Sequence, residues 1–298
     1  MPAETRRQLT VRSDAPGLWH LAGHGGACVA FGALIATGVP GWWALLPVQG
    51  VLLIFLFTLE HEATHQTPFA SAGLNEWIGR VCGVILLLPF TWFRYFHLAH
   101  HRHTHDPKRD PELLAGAVPD NWRAYLIHVS GVPYWWAMLL QFARLLFGGG
   151  LADYIPAAAR RRVVAEARWM ALVYGALAST FLVSPVLVWV WIVPVLLGQP
   201  VLRLYLMAEH GRCPHVADMF ENTRTTFTTR MVRWLAWNMP YHSEHHAMPA
   251  VPYYKLPELH ALTRAHLHQT EDGYVRFHRG YVGDFRPAAS RWTNRGNF

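Results

Sequence analysis

Apolar residues in this chain gather into long unbroken runs, and charged residues are confined to the segments between them. Leu18 to Gly38 and Trp42 to Leu59 each approach the roughly 20 residues that a bilayer core requires, with Gly38-Val39-Pro40-Gly41 supplying a turn between them. Between Arg168 and Arg203, 34 consecutive residues carry no charge. One helix of that length would measure about 50 Å against a hydrocarbon thickness of about 30 Å, so two short spans meeting near Ser184-Pro185 are expected. The pattern predicts an all-α integral membrane protein with four transmembrane helices in two hairpins. The spans fall at about 18–38, 42–59, 169–184 and 186–206 within a single domain, 1–298.

Basic residues orient these hairpins. Arg6, Arg7 and Arg12 precede the first, and Arg160, Arg161, Arg162, Arg168 and Arg203 flank the second. The positive-inside rule puts those ends, and both termini, on the cytoplasmic face of an inner or plasma membrane. The same N-terminal arginines could open a signal peptide. The segment after the first run lacks a small-x-small cleavage pattern, so a retained span is expected. The uncharged run Val81 to Phe93 has 13 residues, too few to cross, and reads as a re-entrant or interfacial helix. Ala124 to Ala143 has 20 residues but contains His128, Pro133 and Gln141. If it crossed, histidine-rich segments before and after it would be stranded on opposite sides, so it is placed at the interface. Residues from about Val216 to Phe298 are polar and Pro-interrupted and read as a cytoplasmic cap.

Composition agrees with the membrane reading: 52% of the 298 residues are hydrophobic and 15% charged, against roughly 25% charged in an average soluble protein. The net charge of +7 suits an anionic lipid surface or an acidic protein partner. The arginines punctuate apolar runs without forming a long basic patch, which argues against nucleic acid. Cys28, Cys82 and Cys213 are far apart with no CxxC, which excludes a Cys-ligated iron–sulfur centre within the chain. No G-x-G-x-x-G follows a strand-like segment, so no nucleotide-binding redox domain is expected.

The chemistry is concentrated in three histidine clusters: His61-Glu62-Ala63-Thr64-His65, His97-Leu98-Ala99-His100-His101 and His242-Ser243-Glu244-His245-His246. Residues at i, i+3 and i+4 share a helix face, so each cluster can aim two or three imidazoles at a common point. Imidazole favours Zn, Cu, Fe or Ni, and one ion accepts about four to six donors. Eight convergent histidines therefore suggest two ions. The first cluster also matches H-E-x-x-H, the zinc protease signature, but a protease gives no reason for two further H-x-x-H-H groups. A non-catalytic histidine-rich metal carrier is the third reading. His20, His24, His103, His105, His128, His260, His266 and His268 stand outside the clusters and are expected to play interfacial or capping roles.

At these residues the chain resembles the membrane-bound fatty acid desaturase and hydroxylase superfamily, whose signature is H-x(3,4)-H followed by two H-x(2,3)-H-H boxes. The resemblance extends to Arg94 through Thr104, Asp106-Pro107, Asp110-Pro111, Asn222 through Thr226, Trp237 through Pro249 and Leu256 through His260. It implies a ninth ligand between the last span and the third box. His210, in Glu209-His210-Gly211, is preferred to His215. One departure is His105, where many desaturases carry Asn.

The resemblance implies two non-haem irons held by His61, His65, His97, His100, His101, His210, His242, His245 and His246. It also implies an O2-dependent oxidoreductase that introduces a double bond into a fatty acyl chain. Zinc has no redox chemistry to offer such a reaction. Two further electrons must come from a separate ferredoxin, rubredoxin or cytochrome, expected to dock near Arg94, Arg102, Lys108 and Arg109. Glu62, Asp106, Glu209 and Glu244 are candidates to hold ligand N–H groups. Hydroxylation is the alternative outcome at the same site, and relatives also act on carotenoids, sphingolipids and amino-cyclitols. Val81–Phe93 and Tyr134-Trp135-Trp136 are expected to wall an acyl tunnel beneath the metals, or else to form an interfacial aromatic belt.

Overall fold

The computed structural model describes residues 1–116 and 118–285 of the chain. Helix α1 (Ala3–Thr10) leads into α2 (Asp14–Ala36), the first long apolar helix. Gly38 and Gly41, with φ of 65° and 77°, make the expected turn in the left-handed region that glycine enters at no steric cost. The chain returns through a 3-10 turn, α3 (Leu46–Ile54) and α4 (Leu56–Thr64). The break between α3 and α4 lies at Phe55, whose carbonyl accepts from Thr58 Oγ1 at 2.8 Å.

Helices α5 (Ala72–Leu86) and α6 (Phe90–His103) meet at a 99° bend. Leu87 has a left-handed φ of 56°, and Leu88 precedes Pro89, which disfavours helical backbone. The run Val81–Phe93 is thus a corner between two helices and not one re-entrant helix. Beyond α7 (Pro111–Ala115), the segment expected at the interface divides into α8 (Trp122–Val129) and α9 (Val132–Leu146) at Gly131, φ 73°. At about 1.5 Å per residue these are roughly 12 and 22 Å long, too short to cross.

Helix α10 (Ala157–Ser179) carries most of the expected third span in its C-terminal half but begins among Arg160, Arg161 and Arg162. A π-helical turn (Val188–Ile192) then runs into α11 (Val193–His210). Three helical stretches are long and apolar enough to cross a membrane: 14–36, 42–64 and 188–210. The bent pair α5–α6 brings the number to four if it is counted as one span. Apolar side chains face outward on these helices, as with Val29, 73% exposed, and on and just after α10, with Leu172 75% and Leu182 90% exposed.

The remaining segment is built from α12 (Met219–Asn222), α13 (Arg230–Leu235), α14 (His242–Ala247), α15 (Leu256–Thr263) and α16 (Tyr274–Gly283). Two short parallel strands, β1 (Thr225–Thr226) and β2 (Thr270–Glu271), pair within it. It is anchored to α2 through the fully buried Trp237, whose indole N–H donates to His24 Nδ1 at 3.1 Å. His24 Nε2 donates in turn to the Leu52 carbonyl at 2.9 Å, and His20 stacks on Trp237 at 4.0 Å. Both histidines are structural, as their isolation in the sequence implies. Residues 286–298 of the expected cap, and with them the C-terminus, lie outside the described residues.

The tightest helix contact joins α3 to α11. A Cβ added to Gly50 would lie 2.2 Å from the Pro194 carbonyl oxygen, and one added to Gly198 would lie 2.2 Å from that of Gly50. Small residues let the backbones touch, the usual basis of helix association in lipid. Gly50→Ala should therefore force α3 from α11 and destabilise the protein by about 1–3 kcal/mol, read as a lower melting temperature in detergent. Gly26→Ala, in open space on α2, is the control and should not lower it.

Candidate metal centre

Four elements deliver the clustered histidines to one place. His61 and His65 lie at the end of α4, His97, His100 and His101 on the last turns of α6, His210 at the end of α11, and His242, His245 and His246 on α14. Donor nitrogens of His61, His65, His97, His101 and His245 lie within 4.8 Å of one another, and those of His100, His210 and His246 form a second such group. His242 adjoins the second group, its Nε2 being 3.2 Å from His210 Nε2. The stacked rings of His101 and His246, 4.0 Å apart, join the two groups.

Each H-x-x-H-H cluster is divided between the groups. On α6 the i, i+4 pair His97 and His101 turns to the first, while His100 turns to the second. On α14 the pair His242 and His246 turns to the second, while His245 turns to the first. Members of a pair share a helix face and the intervening residue is offset by about 100°, so one short helix serves two centres.

These rings fit a bound cation better than an empty core. Both ring nitrogens of His61, His101 and His245 are buried without a hydrogen-bond partner, as are His242 Nδ1 and His246 Nε2. Each orphaned polar atom costs about 1–3 kcal/mol, a penalty removed where a cation takes the lone pair. Burial holds His65 down at about 3 and pushes His242, His245 and His246 well below the ordinary imidazole range. The lone pairs are therefore free of protons at neutral pH.

A surrounding layer orients the rings. His100 Nδ1 donates to Asp110 Oδ1 at 2.9 Å, while Asp110 Oδ2 accepts from the His105 amide and Oδ1 from that of Glu112, capping α7. His210 Nδ1 lies 3.3 Å from the Asn222 carbonyl, and Thr104 Oγ1 lies 3.2 Å from His246 Nδ1. Glu62 Oε1 is 3.2 Å from His245 Nδ1, and its other oxygen accepts from Thr67 Oγ1 and the Tyr253 amide. Glu209 approaches His242 Nδ1 at 3.6 Å.

Two of the four expected carboxylates are elsewhere. Asp106 faces Lys108 and Arg109 at the surface, and Glu244 holds His260 and Thr225. Sequence reasoning missed the roles of Asp110, Asn222 and His260, although each lies in a segment that carries the family resemblance. For Asp110 the local signal was Asp-Pro opening a helix. Arg94 is also misplaced as a docking residue, since it is largely buried and paired with Glu76, whereas Arg102, Lys108 and Arg109 are exposed. Glu62 is buried, with one oxygen engaged by Thr67 and Tyr253 and the other turned toward His245. His215 is exposed and turns its Nδ1 toward the His105 carbonyl. The His105 ring, buried, stands 5.4 Å from that of His210 and outside both groups.

Apolar spans ending in two adjoining pockets of imidazole define a class of histidine-rich membrane protein. The chain belongs to the fatty acid desaturase family: the family's model, described as Fatty acid desaturase, matches residues 40–279. The chain is 26% identical over 72% of its length to a sphingolipid delta(4)-desaturase of Drosophila melanogaster, covering 64% of that protein. It is likewise 26% identical over 66% of its length to a sphingolipid delta(4)-desaturase/C4-monooxygenase of Mus musculus, covering 58%. An sn-1 oleoyl-lipid 12-desaturase of Arthrospira platensis is 24% identical over 72% of the chain and 67% of the relative. The chain thus spans less than two thirds of the length of the first two relatives.

Asp110→Ala should weaken iron binding about 10–100-fold, the usual effect of losing an orienting partner. Asp106→Ala should leave it unchanged. Chelator competition followed by elemental analysis measures both.

Proposed function

We propose that the chain is a di-iron desaturase of lipid acyl chains. His61, His65, His97, His101 and His245 would hold one iron, and His100, His210, His242 and His246 the other. The observation that carries this reading is the meeting of nine histidines in two adjoining groups with eight of their ring nitrogens buried and unpartnered. When bound, the irons would supply the O2-derived oxidising power that removal of hydrogen from unactivated methylene carbons demands. The chain's own residues aim the imidazoles, Asp110 holding His100 and the Asn222 carbonyl facing His210, and would hold the substrate in register. The aromatic ring of Phe93, 5.6 Å from His97, and that of Phe57, 5.5 Å from Phe93, stand between the α5–α6 corner and the histidines. They would wall the near end of an acyl tunnel, where close positioning of one methylene pair governs the reaction. Trp136, 64% exposed, would instead lie in the interfacial belt.

The reaction needs two electrons from a separate donor of ferredoxin, rubredoxin or cytochrome type. Exposed Arg102, Lys108 and Arg109, next to the second box, offer it a basic landing surface. The arginine distribution supports an inner or plasma membrane location with this face, the polar C-terminal segment and the N-terminus on the cytoplasmic side. Hydroxylation is the second reading, favoured by the monooxygenase activity in the name of the mouse relative.

Purified protein should contain close to two irons per chain. Membranes from cells expressing it with a competent donor should gain double bonds only in the presence of O2. New hydroxyl groups instead would establish the second reading, and one iron per chain or an unchanged lipid profile would overturn the proposal. His210→Ala should abolish turnover while His215→Ala retains it.

A further inference from the structure

Away from the histidines, α10 and the loop before it form an open groove of about 560 Å³ whose accessible wall is almost wholly apolar. Leu151 closes one side. Along α10 the lining residues follow one helix face, beginning with Arg160 and Arg161, continuing through Arg168 and Trp169, and ending at Leu172. The face therefore carries arginines at its start and again at Arg168, with Val164 and Ala165 between them and Trp169 and Leu172 at its end, over thirteen residues, about 18 Å of helix. Leu172, 75% exposed, leads on to the outward-facing Leu182 and Val183.

The three guanidinium groups lack counter-charges. Arg160 and Arg168 each direct Nε to a backbone carbonyl, of Ile155 and Leu146 respectively, which leaves their terminal nitrogens free for a ligand. Among the described residues no carboxylate pairs with Arg160, Arg161 or Arg168. The acidic groups nearby are engaged on the other side of α10, where Glu76 takes Arg162 and Glu166 binds Thr91 and Arg80. A free inorganic anion would use the arginines and leave the apolar wall wet. An apolar peptide would cover the wall and leave three charges desolvated and unpaired, which is costly. A molecule with an anionic head and a hydrocarbon tail satisfies both halves.

We propose that this groove is a binding site for one anionic glycerophospholipid. Its phosphate would lie against Arg160, Arg161 and Arg168, its ester region against Trp169, and an acyl chain along Leu172. Trp and Arg are the side chains that favour the headgroup level of a bilayer. No lining residue belongs to the histidine groups or their hydrogen-bond partners, so the assignment does not depend on the proposed reaction.

Native mass spectrometry of the full chain, released from nanodiscs containing equal phosphatidylglycerol and phosphatidylcholine, tests it. Wild type should retain one phosphatidylglycerol at least 10-fold in preference to phosphatidylcholine, and excess glycerol phosphate should not displace it. Arg161→Gln/Arg168→Gln should lose that preference, Arg161→Lys/Arg168→Lys should keep most of it, and Arg102→Gln/Arg109→Gln should match wild type. Equal retention of the two lipids by wild type would overturn the proposal without any variant. So would full retention by the Arg161→Gln/Arg168→Gln protein, or displacement by glycerol phosphate, which would show an anion site with no use for the chain.

Discussion

Burying nine imidazoles at the ends of apolar helices is the constraint from which the rest of the architecture follows. A neutral imidazole carries one donor and one lone pair, and several rings here have neither satisfied by the protein. Such a cluster is costly without a cation to take the lone pairs, and packing leaves the rings nowhere else to go. Helices α4, α6, α11 and α14 must all terminate near one point, because a histidine one turn earlier would be embedded in the apolar body. The 99° corner between α5 and α6 and the backbone contact between Gly50 and Gly198 serve that requirement. The first swings α6 across the ends of the spans, and the second fixes the relative heights of α3, which leads into α4 and the first histidine cluster, and α11, which ends at His210.

Around the rings lies a layer assembled from segments remote in sequence. Asp110 ties His100 to the cap of α7, the Asn222 carbonyl accepts from His210, and Glu62, which accepts from the Tyr253 amide, stands 3.2 Å from His245. Glu244 extends the layer outward, taking Thr225 from β1 and His260 from α15. The polar C-terminal segment is thus a folded lid whose buried hydrogen bonds converge on the histidines. The Trp237–His24–Leu52 chain fastens that lid to the first hairpin.

The two surfaces of the protein ask for different partners. Exposed apolar side chains on the long helices match hydrocarbon, while the basic groups gather at helix ends and in the loop after α6. Those on the face of α10 have no carboxylates opposite them and stand at the head of an apolar groove. Those beside the second histidine box, Arg102, Lys108 and Arg109, are exposed to solvent. The fold thus distributes the excess of positive charge to two separate places.

Runs and spacings that act within one helix were legible in the sequence. The apolar stretches, the Gly38–Gly41 turn and the helical phase of the histidine clusters all depend on neighbours close along the chain. Chain-local rules govern such neighbours. Asp110 and Asp106 are four residues apart and chemically identical, and only the turn into α7 decides that one meets His100 while the other faces solvent. Arg94 reads as surface charge until α5 brings Glu76 against it. The division of each H-x-x-H-H box between two groups likewise depends on which neighbouring helix end lies beside each ring. Sequence determined which side chains could bind, through helical period and hydrophobic length. Tertiary structure decided which of them met, because long-range packing sets the distances over which a lone pair or a carboxylate can act.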